Sequence, residues 1–253
     1  MLGSWQKAVK PGIVLIVLLL LWELASRAFA IPAWLLPAPL QIIETGLTGW
    51  ADYGHHVSST VQLTITGFLI GTTIGLGVAT GLHLIPSLRE AVYPLLILSQ
   101  NIPIIVLAPL LVIWFGFGML PKLIVIALVC FFPITVSALE GFRETDRDLK
   151  HYMAMAGATK RQMFFKLEWP NAWPYIFSGL KISATYSVMG AVISEWLGAQ
   201  KGIGVYMTLA SSSFRTDRVF VAIALVMMLS LLFFGLIVLI EKHVVKWKRE
   251  ERD

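Results

Sequence analysis

Charge is what this sequence has least of. Only 14% of its 253 residues are Asp, Glu, Lys or Arg, against about a quarter in an ordinary soluble domain. A chain that is 57% hydrophobic lacks the polar residues to cover a water-facing surface of its size, so lipid must be much of its solvent. Cysteine is scarcer still. Cys130 is the only one, which excludes a disulfide framework and a cysteine metal site; its apolar surroundings make it a small packed core residue. No Gly-x-x-x-x-Gly-Lys-Ser/Thr sequence occurs, so the chain carries no phosphate-binding loop of that kind. No Ser-His-Asp set, metal-ligand cluster or acidic pair stands at membrane depth, which argues against a membrane-embedded enzyme. His55-His56 has no third or fourth metal ligand in view. The net charge of +5 does not point to nucleic acid, because the basic residues cluster in particular loops and tails.

What the sequence has in abundance is long apolar segments. Crossing about 30 Å of hydrocarbon takes about 20 helical residues, and six segments qualify: 12–30, 60–84, 91–116, 121–142, 174–198 and 219–241. They imply an all-α membrane protein, a polytopic bundle of six transmembrane helices forming a single domain over 1–253. Lys7 and Lys10 followed by an apolar run and Ala28-Phe29-Ala30 resemble a cleaved signal peptide. Glu23 and Arg27 interrupt that region, and the downstream spans favour an uncleaved first membrane helix. With the N-terminus in the cytoplasm, fourteen of the twenty Lys and Arg residues fall on the inner side and five on the outer. Lys181 lies within the fifth span, near its inner end, where snorkelling to the cytoplasm is expected. This asymmetry puts both termini and the long hydrophilic loop, 143–173, in the cytoplasm.

Two spans carry internal signals. The second has Gly67, Gly71 and Gly75 at four-residue spacing, one helical face on which another backbone can approach closely; a glycine-lined path is the sharper alternative. The third is too long for one straight crossing and contains Pro94, Pro103 and Pro109, with Gln100-Asn101 before Ile102-Pro103. Proline breaks the helical ladder, and broken backbone at membrane depth survives only against protein or a water-filled cavity. Gln100, Asn101 and Pro103 are therefore candidates to line a path, with a simple proline kink as the alternative. Glu195, the acidic residue inside the fifth span, is a functional candidate by default; near the outer end, it is also placed to reach water or to pair with Lys201 or Arg215.

The 143–173 loop reads as two short helices around a glycine. Thr145 is placed to cap the first, with Asp148 three residues on. Gly157 suits the left-handed residue that ends it. Thr159 and Gln162 form a second capping box, Met163, Phe164, Phe165 and Leu167 give the second helix an apolar side, and Pro170 is expected to stop it. Such a helix either lies on lipid or fills a groove on a partner; the residues alone do not choose.

The run from Gly157-Ala158-Thr159-Lys160-Arg161-Gln162 to Leu167-Glu168-Trp169-Pro170 resembles the signature loop of binding-protein-dependent ABC importer permeases. Its glycine and proline stand at the family's separation, and Leu167 takes an isoleucine position. His151-Tyr152-Met153 stand where the family has Glu-Ala-Ala, and Trp169 replaces a leucine. The resemblance extends along nearly the whole chain. Trp34-Leu35-Leu36-Pro37-Ala38-Pro39, Pro109 to Gly116, and Glu195-Trp196-Leu197-Gly198 with Gly202-Ile203-Gly204 are similar to the nitrate, sulfonate and taurine branch. Ser99 to Ile105 and Tyr186 to Val192 look most like permeases for pyrimidine precursors of thiamine.

The resemblance implies a permease of the bacterial cytoplasmic membrane with no ATPase motif and no cofactor of its own. Two permease copies would work with two cytoplasmic ATPases, which use ATP-Mg, and an extracytoplasmic solute-binding protein. It places ATPase coupling on Gly157, Ala158, Thr159, Arg161, Gln162, Met163, Phe164, Leu167 and Pro170. Tyr186 joins Gln100, Asn101, Pro103 and Glu195 as a candidate for the translocation path. The rival cargoes are sulfonate, taurine or nitrate. An ion-coupled secondary transporter is a more distant rival, and the scarcity of buried carboxylates counts against it.

Overall fold

The structure, a computed structural model, describes residues 2–245. Lys246, Lys248, Arg249 and Arg252, which enter the orientation argument, lie outside the described residues, as does the side chain of Lys7. Among the described residues every regular element is helical: α1 (Leu2–Ala28), α2 (Pro39–Thr48), α3 (Trp50–Leu84), α4 (Pro86–Ser99), α5 (Ile104–Phe115), α6 (Met119–Arg143), α7 (Arg147–Met155), α8 (Lys160–Met163), a π-helical turn (Phe164–Glu168), α9 (Trp169–Glu195), α10 (Ile203–Ser212) and α11 (Thr216–Val244). Helices are what lipid demands, because each one satisfies its own backbone.

Among the described residues five helices are long and apolar enough to cross a membrane: α1, α3, α6, α9 with its approach, and α11. The remaining span, the third, expected at 91–116, is a broken one. α4 and α5 meet at 101° across Gln100-Asn101-Ile102-Pro103, where Pro103 takes extended dihedrals and starts α5. α3 begins ten residues before the expected second span, and α2 and α10 are short helices that the hydropathy pattern did not reveal. α1 sits at the periphery, its apolar side chains exposed from Ile13 to Leu21, and its end touches the bundle through Trp22 against Phe220.

The core is α6 sandwiched between α3 and α9. The small-residue face of α3 allows this. A methyl group at Gly67 would stand 2.6 Å from the Ile126 side chain, one at Gly71 2.8 Å from the Ala127 carbonyl, and one at Gly75 3.2 Å from Ile134. The stripe is therefore a close backbone approach and not a lined path. α6 returns the favour to α9: a methyl at Gly141 would press on Tyr175 and Ala172, and one at Gly179 on the Pro133 carbonyl. Cys130 is fully buried here, and Ser183 Oγ donates to its carbonyl at 2.9 Å.

α3 and α9 run antiparallel, and two polar knots mark the ends of their overlap. His83 meets Glu168 at one end and Thr60 meets Glu195 at the other. At 1.5 Å per residue these knots are separated by about 35–40 Å along the helices, enough to bracket about 30 Å of hydrocarbon. Polar groups thus sit at the two rims of the apolar slab. Between them Lys181 does not snorkel free but pairs with Glu241 of α11, its Nζ at 2.9 and 3.2 Å from the two carboxylate oxygens.

Candidate functional site

The loop between α6 and α9 is built from its caps. Asp146, not Thr145, is the N-cap of α7, accepting from the Asp148 amide at 2.7 Å. Thr145 is buried instead and donates to the Phe142 carbonyl at 3.2 Å; a hydroxyl turned inward was unavailable to cap. Gly157 adopts φ 78°. The Gly157 amide donates to Ala154 and the Ala158 amide to Met153, both at 3.0 Å, the pair of bonds that closes a helix through a left-handed residue. Thr159 and Gln162 then form the reciprocal capping box, in which Gln162 Oε1 accepts from the Thr159 amide at 2.8 Å. Every turn of the loop is thus specified by a local residue choice.

The second helix departs from expectation. Pro170 does not stop it: α8 widens into the π-turn and runs on into α9, of which Pro170 is the second residue. This continuity turns Phe164 inward. It is 3% exposed, lying 5.4 Å from Phe142 and 5.7 Å from Trp169 between ring centroids. Phe164 therefore anchors the loop to its own bundle and offers nothing to a partner, and Met163 is only half-exposed. The apolar side chains that do face outward are Leu149, Tyr152 and Met155 on α7, and Phe165 on the π-turn. Arg161 and Gln162 are exposed, Leu167 is half-buried.

Beneath the loop lies a cluster that sequence reasoning missed. Glu168, 8% exposed, places Oε2 2.8 Å from His83 Nε2 and Oε1 2.7 Å from Lys150 Nζ. One carboxylate joins the end of α3, the middle of α7 and the π-turn.

At the far end Glu195 is 1% exposed and pairs with neither Lys201 nor Arg215. Its Oε1 accepts from Thr60 Oγ1 at 2.7 Å and its Oε2 from the Gly204 amide at 2.8 Å. Thr60 Oγ1 accepts from the Ile203 amide at 2.8 Å, and His56 Nδ1 from the Gly202 amide at 3.0 Å. Three successive free amides at the start of α10 thus find three side-chain acceptors. A carboxylate there is favoured by the helix dipole as well as by the bond. Gly202, at φ 138°, leaves no room for a Cβ against the Glu195 carboxyl group. Glu195 is a helix cap that ties α9 to the start of α10. The accepting Nδ1 of His56 is occupied, so the His55-His56 pair has a structural use.

The remaining path candidates are dispersed. Gln100, Asn101 and Pro103 are exposed at the α4–α5 elbow, where Asn101 Nδ2 donates to the Ile97 carbonyl at 3.0 Å and so spends its amide on local backbone. Tyr186 is 47% exposed on α9; among the described residues no hydrogen bond joins it to the elbow. A signal for the far-end knot was present in the sequence. His56, Thr60, Thr64, Gly67, Gly71 and Gly75 recur at intervals of four or three, and all are buried, one polar and small stripe continuing the glycine face.

Comparison with known proteins bears on this arrangement. Residues 71–246 match the family described as the binding-protein-dependent transport system inner membrane component. The chain is 33% identical to a formylaminopyrimidine transport permease of Halalkalibacterium halodurans, over 98% of this chain and 99% of that one. It is 30% identical to a riboflavin transport system permease of Chloroflexus aurantiacus, over 97% and 92% of the two chains. It is 28% identical to a taurine transport system permease of Escherichia coli, over 98% and 92%.

Proposed function

This chain belongs to the binding-protein-dependent transport inner membrane components, the multi-pass permease subunits of ABC importers, and from that premise we propose how it is driven and what it carries. Two copies of the chain enclose the path. Two cytoplasmic ATPases, which hold the ATP-Mg, grip the loops by their outward apolar side chains, and an extracytoplasmic binding protein delivers the solute. Closure of the ATPase pair rocks the bundles between inward-open and outward-open states. Such a drive requires only that one bundle state fits the closed motor better than the other.

The observation that carries this reading is the form of the loop. Its turns are locked by a left-handed glycine and two caps, and it offers Leu149, Tyr152, Met155 and Phe165 outward, an apolar set of the kind that fills a groove on a partner. The excess of Lys and Arg on the loop's side supports a cytoplasmic position for it and for both termini. The N-terminal amides of α10 and the Glu195 knot then face the outside.

The cargo we assign is a small pyrimidine of the thiamine-precursor kind. The end-to-end similarity to the formylaminopyrimidine permease supports it, as does the riboflavin permease, whose named cargo is also a flat nitrogen heterocycle. An anionic cargo, sulfonate, taurine or nitrate, is the second reading. It is favoured by a cavity of about 370 Å³ at the far end whose lining includes Ser59, Lys122, Gln200 and Lys201 and no carboxylate, and by the taurine relative. Proteoliposomes containing the permease, its ATPase and its binding protein decide between them. ATP-dependent accumulation of a radiolabelled aminopyrimidine, uncompeted by taurine or nitrate, is expected. Accumulation that taurine or nitrate abolishes would transfer the assignment to the anions, and accumulation without any ATPase would refute the importer mechanism.

A further inference from the structure

α7 carries the outward apolar face of the loop, yet it is poorly rooted. None of its residues is buried. Its chain connections are the turn at Asp146 and the left-handed Gly157, and its one ion pair among the described residues is Lys150 to Glu168 at 2.7 Å. Glu168 in turn is held from the other side by His83, at 2.8 Å, whose ring lies 4.9 Å from that of Phe142 and 5.9 Å from that of Phe164. Both carboxylate oxygens are occupied, and the His83 ring that holds one of them packs on a cluster of Phe142, Phe164 and Trp169.

A carboxylate in such a place is costly unless it is paired on all sides. The pairs are short and shielded, so they are screened less by salt than exposed ones. Four residues apart on one continuous helical segment, Phe164 and Glu168 face inward together while Phe165 faces out, the spacing that puts two side chains on one helical face.

We propose that Glu168 is a positioning residue for transport. Through Lys150 and His83 it makes α7 one rigid piece with α3 and α9, so that a push on α7 reaches both membrane helices. The proposal rests on the ATPase-gripping loop described above and adds the element that makes the grip effective. In physical terms the coupling needs a stiff connection between the face that is pushed and the helices that move. Without the ion pair, α7 swings on its two end turns and absorbs the displacement.

The test uses the assembled complex with ATPase and binding protein in proteoliposomes, comparing wild type with Lys150→Gln, Lys150→Arg and Glu168→Gln. Lys150 lies on a helix without buried residues, so Lys150→Gln avoids the folding problem that Glu168→Gln could bring. Expected for Lys150→Gln are unchanged retention of the ATPase, hydrolysis within about twofold of wild type, and solute moved per ATP reduced at least tenfold. Lys150→Arg restores the ratio. Amide exchange across residues 147–155 rises at least tenfold in Lys150→Gln and returns to the wild-type rate in Lys150→Arg. An unchanged ratio of solute to ATP overturns the proposal, as does uptake and hydrolysis falling in proportion, or exchange that does not move. Wild-type permease that retains no ATPase overturns the importer reading itself, which is a different result.

Discussion

Replacing Glu195 by alanine separates a structural cap from a path residue. The substitution removes the acceptor of the Gly204 amide, at 2.8 Å, and of the Thr60 hydroxyl, at 2.7 Å. The amide has no solvent to turn to, because Glu195 is 1% exposed and Thr60 fully buried. A buried polar group left without a partner costs about 1–3 kcal/mol, and loss of an anion at a helix N-terminus adds roughly 0.3–1 kcal/mol. Relief of the buried charge offsets part of this, so the net expectation is about 1–3 kcal/mol of destabilisation. For a chain of this size each kcal/mol lowers Tm by about 2–4 °C, giving a drop of roughly 2–12 °C. The assay is thermal unfolding of purified protein in detergent, followed by tryptophan fluorescence. Glu195→Gln, which keeps one carbonyl acceptor, should lose about half as much. Protein that survives should still transport. A variant that melts with the wild type, or one that melts normally and does not transport, refutes the cap and returns Glu195 to the path.

Glycine substitutions should divide sharply by position. Gly71→Val places atoms against the Ala127 carbonyl and Cys130 and should prevent stable accumulation in the membrane, whereas Gly81→Ala, with open space around it, should leave expression and melting unchanged; equal behaviour of the two would refute the α3–α6 contact. The paired phenylalanines should separate folding from docking. Phe164→Ala empties a buried site at a cost of about 3–5 kcal/mol, visible as a lowered Tm. Phe165→Ala, on an exposed side chain, should stay within about 0.5 kcal/mol of wild type while weakening co-purification with the ATPase; the reverse pattern would overturn the assignment of faces.

Fold class was legible without any coordinates, because a long uncharged segment has few alternatives to a membrane helix, and scarcity of charge extends over the whole chain. The Gly67, Gly71 and Gly75 stripe and the Thr159–Gln162 box were legible for a similar reason: each depends on residues three or four apart, and helical geometry alone brings them together. Thr145 and Pro170 show where local rules stopped sufficing. A capping hydroxyl competes with a neighbouring aspartate and with burial, and a proline that ends one helix equally well opens another.

Which side of the loop faces outward, and what Glu195 and Glu168 are for, lay beyond local reading. Adjacent phenylalanines face different sides of a helix, and only the bundle shows that it covers Phe164 and leaves Phe165 for a partner. Glu195 is 135 residues from Thr60 and Glu168 85 from His83. A carboxylate in an apolar stretch announces itself in the sequence, but its partners come from helices that meet only after the chain has folded, and those partners decide whether it is a cap, a clamp or a site.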